Sequence, residues 1–190
     1  MPPAASSDAA LKPAEPAMPP DEMGGPACAR AVHAALRTGG VNFAVSLPDS
    51  VLHPVDRLLH DDPDVQSFVC SREDEGVAMA VGAYLGGKVP VALMEGSGLG
   101  YCALVLARAQ IQRTPLLLLV SHNGALGEAF DFHGASRAAA EGVLRGLDIP
   151  HVVLTDRAQA PRLVEQALVT VLGQKTAVGL LVPPYLFAGT

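Results

Sequence analysis

Pro115-Leu116-Leu117-Leu118-Leu119-Val120 is an unbroken apolar run of strand length, bounded by Thr114 and Ser121. A strand with one wet face alternates apolar and polar residues; a strand without alternation is covered on both faces. Such strands belong to parallel sheets, because the crossover helices of βαβ units supply both covers. Residues 43–47, 89–94 and 177–182 read the same way, and 66–70 and 151–154 are further short strands.

Between the strands the period becomes helical. Helices are predicted over 27–38, ending at Gly39-Gly40; over 51–60, with Ser50 as cap; and over 73–85, ending at Gly86-Gly87. Others are predicted over 99–112, 136–147 and 158–172, with a loop from His122 to about Gly134. The expected fold is α/β: three layers, a mainly parallel six-stranded sheet with helices on both faces.

Residues 1–25 contain Pro2, Pro3, Pro13, Pro16, Pro19 and Pro20 among small and acidic residues. Such a segment buries too little to offset its ordering entropy, so a disordered tail is expected there and one folded domain over 26–190. The net charge is 13 − 19 = −6, which disfavours nucleic acid and anionic membrane as partners. No run reaches the ~18 apolar residues of a membrane span. Cys28, Cys70 and Cys102 form no metal or disulfide framework, and a reducing cytoplasm is the simplest setting.

In open α/β sheets ligands sit beyond the carboxyl ends of the strands. That rule nominates Pro48-Asp49-Ser50, Ser71 to Glu75, Glu95 to Gly100, and Ser121 to Gly124 with the loop beyond. The turn Glu95-Gly96-Ser97-Gly98-Leu99-Gly100 has glycines at 96, 98 and 100, not the G-x-G-x-x-G of a dinucleotide site, and no Walker motif exists. Ser97, His122 and Asp131 as a triad, or His122, Asp131 and His133 as metal ligands, have no support in their spacing. Glu73 opens a helix of small residues, Gly76, Ala78, Ala80 and Gly82. A helix with so little bulk admits a close ligand, and the acid at its mouth would meet that ligand in a partly dry setting. Ordinary capping, with Ser71 and Asp74 as a Ser-x-x-Asp pair, is the plainer alternative.

Four segments together resemble the pyrimidine-binding subunit of the sulfopyruvate and phosphonopyruvate decarboxylases, which are thiamine diphosphate enzymes. They are Leu47-Pro48-Asp49-Ser50; Glu73-Asp74-Glu75-Gly76 with Gly82-Ala83-Tyr84; Ser97-Gly98-Leu99-Gly100; and Leu116 to Ser121 followed by Gly124. The resemblance spans about 40–185. It implies that Glu73 activates thiamine diphosphate through its aminopyrimidine ring, and that Ser97, Gly98 and Leu99 line the cofactor. It further implies that Asp49 and His133 handle protons at the reacting centre. The substrate would be a small 2-oxo acid, losing CO2 to leave an aldehyde. The chain has no Gly-Asp-Gly, so the resemblance implies a separate diphosphate-binding beta subunit. That partner would carry Gly-Asp-Gly with a downstream Asn and hold most of the Mg2+, in a hetero-oligomer. Glu95-Gly96 stands where the family usually has Gln-Asn, and His122-Asn123-Gly124 where it has Trp-Arg-Gly. A split carboligase resembling acetolactate synthase, and a non-catalytic scaffold or regulatory subunit, are the alternatives.

Overall fold

The computed structural model describes residues 23–125 and 128–188. Most of the expected tail, 1–22, lies outside the described residues.

The chain alternates helix and strand throughout. Its elements are α1 (Gly25–Thr38), β1 (Phe43–Ser46), α2 (His53–Asp61), β2 (Gln66–Val69), α3 (Glu73–Leu85) and β3 (Pro90–Glu95). They continue as α4 (Gly96–Leu99), a 3-10 turn (Gly100–Cys102), α5 (Ala103–Ile111), β4 (Leu116–Ser121), α6 (Asp131–Gly146), β5 (His151–Val153), α7 (Ala160–Gln174) and β6 (Ala177–Val182). The six strands form one sheet in the order β2-β1-β3-β4-β6-β5, and every neighbouring pair is parallel. The three-layer α/β fold expected from the apolar strands is the fold observed.

Each central strand divides its side chains between two cores. Val91, Leu93, Leu117, Leu119 and Leu180 pack with α1, α2 and α7, through residues such as Val32, Leu36 and Val164. Ala92, Met94, Leu116, Leu118 and Val120 pack with α3, α5 and α6, through Val77, Leu106 and Leu144. The chain runs from β1 outward to β2, then returns past β1 to β3. This reversal makes β1 and β3 a topological switch point, where the carboxyl ends of neighbouring strands diverge and leave a crevice.

Three local expectations are corrected. The second helix starts at His53 rather than Val51, and Ser50 does not cap it. Asp49 serves instead: its Oδ1 accepts the N–H groups of Val51 and Leu52 at 2.9 Å. The helix expected over 99–112 is three pieces, α4, a 3-10 turn and α5, beginning three residues earlier at Gly96. The helix expected from Ser136 begins at Asp131, which moves His133 from a loop onto the first turn of α6.

Leu118 has no exposed surface and lies in the middle of β4. Leu118→Ala is expected to cost about 3 kcal/mol and to lower the melting temperature by roughly 6–12 °C. Its far-ultraviolet circular dichroism at 25 °C should match the parent. A thermal melt of the two proteins checks it.

Candidate active site

The mouth of α3 and the turn after β3 meet at one glycine. A methyl group added at Gly98 would collide with the carboxyl group of Glu73, the first residue of α3. The acid therefore lies directly on the backbone of α4, in a slot that only glycine leaves open. The capping work is done by its neighbours. Asp74 takes a two-pronged bond from the Arg72 guanidinium, at 2.9 and 3.1 Å, and accepts the N–H of Glu75. That bond holds the Asp74 carboxyl below the usual carboxylate range. Glu75 accepts the N–H of Ser71 at 2.9 Å. The expected Ser71–Asp74 cap does not form; Arg72 occupies the cap position with extended backbone.

Ser97 is exposed on α4, and its hydroxyl donates to Oε2 of Glu95. Ser136 of α6 donates to the other oxygen, Oε1, at 3.1 Å. Glu95 is thus a bridge between the turn and α6. Beneath it, a methyl group on Gly96 would come within 2.8 Å of the Ser121 carbonyl oxygen. Leu99 is fully buried and holds the turn down into the core instead of lining its surface.

Asp49 is more committed than expected for a group that moves protons. Besides its two backbone bonds, its Oδ2 accepts the Ser121 hydroxyl at 3.1 Å. It ties the end of β1 to the end of β4. His133 has a partner that its sequence neighbourhood did not announce: Nδ1 lies 2.5 Å from Oε2 of Glu128, which also accepts the N–H of Gly124 at 3.0 Å. The Gly124 bond and then His133 hold the Glu128 carboxyl below its ordinary value. Phe130 and Phe132 set their edges against the His133 ring, at centroid distances of 5.3 and 4.5 Å.

Glu73, Gly98, Ser97, Glu95, Ser136 and His133 thus form a continuous chain of neighbours across α3, α4 and the first turns of α6. Asp49 joins it through Ser121, whose carbonyl touches Gly96. Of the residues nominated from the sequence, Glu73, Ser97, Gly98 and His133 lie along this chain of neighbours. Sequence reasoning treated Glu95 only as a departure from a pattern and passed over Glu128 and Ser136, whose roles come from partners in other elements. Among the described residues no group of three or more His, Cys, Asp or Glu side chains could hold a metal ion. No helix among them is long and apolar enough to cross a membrane.

His122, at the end of β4, bonds through Nε2 to Oε1 of Glu141 at 3.0 Å, and its buried Nδ1 has no partner among the described residues. Burial pushes its pKa down, and the positive charges of Arg137 and His151 add to the effect. Facing a carboxylate oxygen, which has no hydrogen to give, Nε2 is the donor in this bond.

Two predictions follow from this geometry. Gly98→Ala must turn aside the partly buried Glu73 side chain and is expected to cost about 1 kcal/mol, whereas a methyl at Gly100 would meet only Ala139 at 3.5 Å. Gly100→Ala is therefore expected to stay within about 0.5 kcal/mol of the parent, and chemical denaturation of both variants checks the contrast. For His122, the unfolded ring gains a proton as pH falls through about 6.5, while the folded ring resists. Unfolding then takes up a proton, and stability falls with pH in that window. His122→Gln lacks this loss, so the parent's stability advantage should shrink between about pH 7.5 and pH 5. A gap independent of pH would reject the assignment.

The family model described as thiamine pyrophosphate enzyme, N-terminal TPP binding domain, matches residues 27–142. Sulfopyruvate decarboxylase subunit alpha of Methanothermobacter thermautotrophicus is 36% identical over 121 residues, covering 63% of this chain and 73% of that one. The protein of the same name from Methanococcus maripaludis is 32% identical over 138 residues, covering 72% and 83%. Among solved structures, a 2-oxoglutarate:ferredoxin oxidoreductase from Magnetococcus marinus superimposes with a TM-score of 0.68 at 20% identity. That match covers 86% of this chain and 29% of the other, and it speaks for the fold alone. The chain belongs to the thiamine pyrophosphate enzymes, through their N-terminal TPP-binding domain, and within them to the family of sulfopyruvate decarboxylase alpha subunits.

Proposed function

We propose that this chain is the pyrimidine-binding subunit of a two-chain, thiamine diphosphate-dependent decarboxylase. Its proposed substrate is a small 2-oxo acid with a second anionic group, such as sulfopyruvate or phosphonopyruvate. The observation that carries the reading is the Glu73 carboxyl lying on Gly98 at the mouth of α3, while Asp74 and Glu75 take up the bonds of the helix start.

The residues present fit the cofactor. Glu73 offers a carboxyl group to the aminopyrimidine ring, and the backbone of Gly98 and the side chain of Ser97 form the wall beside it. When bound, thiamine diphosphate supplies the electron sink that accepts the pair left behind by departing CO2. The chain's own residues position and exchange protons. Glu73 would share a proton with a ring nitrogen of the aminopyrimidine. Ser97 already donates its hydroxyl hydrogen to Glu95, so it presents lone pairs to a ligand. Asp49 faces the substrate as a fixed acceptor, and His133 exchanges a proton at the reacting carbon.

Two features support a partner chain. The sequence has no Gly-Asp-Gly to anchor a diphosphate and Mg2+. Leu85 of α3, Tyr101, and Leu104 and Ile111 of α5 are exposed by 70%, 67%, 68% and 84%, on helices that pack side by side. Arg72, next to Glu73, lies over the Tyr101 ring at 5.4 Å. A beta subunit carrying Gly-Asp-Gly and a downstream Asn would cover such exposed apolar side chains and hold the metal. The free, buried thiols of Cys28, Cys70 and Cys102 support a reducing, cytoplasmic setting. Burial pushes two of them up to about 11 and about 12 for Cys28 and Cys102, where they are unreactive.

The complex of the two chains is the material for the test. It should release CO2 from sulfopyruvate or phosphonopyruvate, and this chain alone should not. Glu73→Gln is expected to lower turnover by about 10²–10⁴-fold with folding and assembly intact. Asp74→Asn and Glu75→Gln, which make the same charge change in the same turn, should cost only ~0.3–1 kcal/mol of stability. Exchange of the cofactor's thiazolium C2 proton reports the activation step directly. Equal losses in all three variants, or normal exchange in Glu73→Gln, would defeat the assignment.

A further inference from the structure

We propose that Glu128 is a positioning residue for His133, fixing its tautomer and ring orientation so that Nε2 is the nitrogen free to exchange a proton. The geometry is a carboxylate–imidazole pair at 2.5 Å, with side chains 24% and 18% exposed. Oε2 of Glu128 accepts from both Gly124 N–H and the ring. A carboxylate oxygen has no hydrogen to give, so Nδ1 must be the donor. The neutral ring then carries its proton on Nδ1 and an open lone pair on Nε2, the reverse of the tautomer that an unrestrained histidine favours in water. When the ring is protonated, the same Nε2 becomes a donor. One nitrogen can therefore take a proton and return it while the other never leaves Glu128.

The surroundings lock this arrangement. Gly124 has a φ of +87°, and a methyl group there would strike the His133 carbonyl. The loop is thus pressed against the first turn of α6 at its backbone as well as through Glu128. Phe130 and Phe132 wall the ring edge-on. One turn further along α6, Ser136 is tied to Glu95, and through it to Ser97. His133 is held at both ends of its turn, beside the glycine turn on which Glu73 rests. Among the described residues the Glu128 carboxyl bonds only the Gly124 N–H and the His133 ring, so any effect on the reaction passes through that ring.

The kinetic side of this inference rests on the decarboxylase reading; the structural side does not. The first measurement is the pair of ring ¹⁵N shifts of His133 in the full chain, at a pH where the ring is neutral. The parent and Glu128→Asp should show Nδ1–H, and Glu128→Ala should change to Nε2–H. Glu128→Gln retains an acceptor for the Gly124 N–H and guards against a collapsed loop; it should give a mixture. Nε2–H in the parent, or unchanged Nδ1–H in Glu128→Ala, would overturn the proposal. The second measurement is made on the two-chain complex. Glu128→Ala should lower kcat by about 10²-fold with little change in KM, His133→Ala should match it, and the double variant should lose no more. The tautomer change without loss of turnover in an active complex would also overturn the positioning role. A parent complex that decarboxylates nothing would instead sink the functional reading and leave the tautomer result to decide this one.

Discussion

Leu116, Leu117, Leu118, Leu119 and Val120 have no exposed surface on either side of the sheet. That double burial governs where chemistry can occur. No polar side chain can sit along the middle strands without a partner of its own, since an unpaired polar group there costs more than the strand gains from it. Polar residues are driven to the ends of the strands, and the parallel arrangement puts all the carboxyl ends on one edge. Ser46, Glu95, Ser121 and His122 are the first polar side chains at the ends of β1, β3 and β4. The crevice between β1 and β3 is where they are needed.

The acids on that edge have distinct occupations. Asp49 closes a turn and receives Ser121; Asp74 is paired with Arg72; Glu75 serves the backbone of Ser71; Glu95 joins two serines; Glu128 orients a histidine. Glu73 differs because its carboxyl group rests on a glycine instead of facing a donor. An acid that no donor among the described residues fixes, close against a bare stretch of backbone, is available to a ligand in a way the others are not. The same negative cluster suits a cofactor whose reacting ring is cationic.

The fold was legible because its cause is local. Unbroken apolar strands alternate with 3.6-period segments, and both signals can be read in windows of a few residues. The start of α6 was not legible. Asp131-Phe132-His133-Gly134 has poor helix formers and a large ring, Phe132, in water, and Glu128 and Glu95 hold these first turns from outside through His133 and Ser136. The glycine-rich α4 is another case: packing against α6 and Glu73 decides it over propensity. Glu73 stood out as an acid at the mouth of a helix of small residues, whereas Ser97, Gly98 and His133 were given roles only by the family resemblance. Glu95 and Glu128 did not stand out, since a carboxylate's role is set by what it meets. Ser136 lies 41 positions beyond Glu95. The full burial of Leu99 depends on how the short α4 turns toward the core formed with Val77, Leu106 and Leu144, a long-range contact with no local signal.

The glycine turn has a consequence for how such a site can be remodelled. The space above Gly98 is occupied by Glu73, and that above Gly96 by a main-chain carbonyl. Neither position can gain a side chain without dislodging something that is already there. At Gly96 the obstacle is main chain, so that position resists any substitution; at Gly98 it is a side chain, which can turn away. Variation is freer at the neighbours of the turn, at Glu95, at the His122-Asn123 corner and at Glu128, all of which can change while the glycine turn keeps its course.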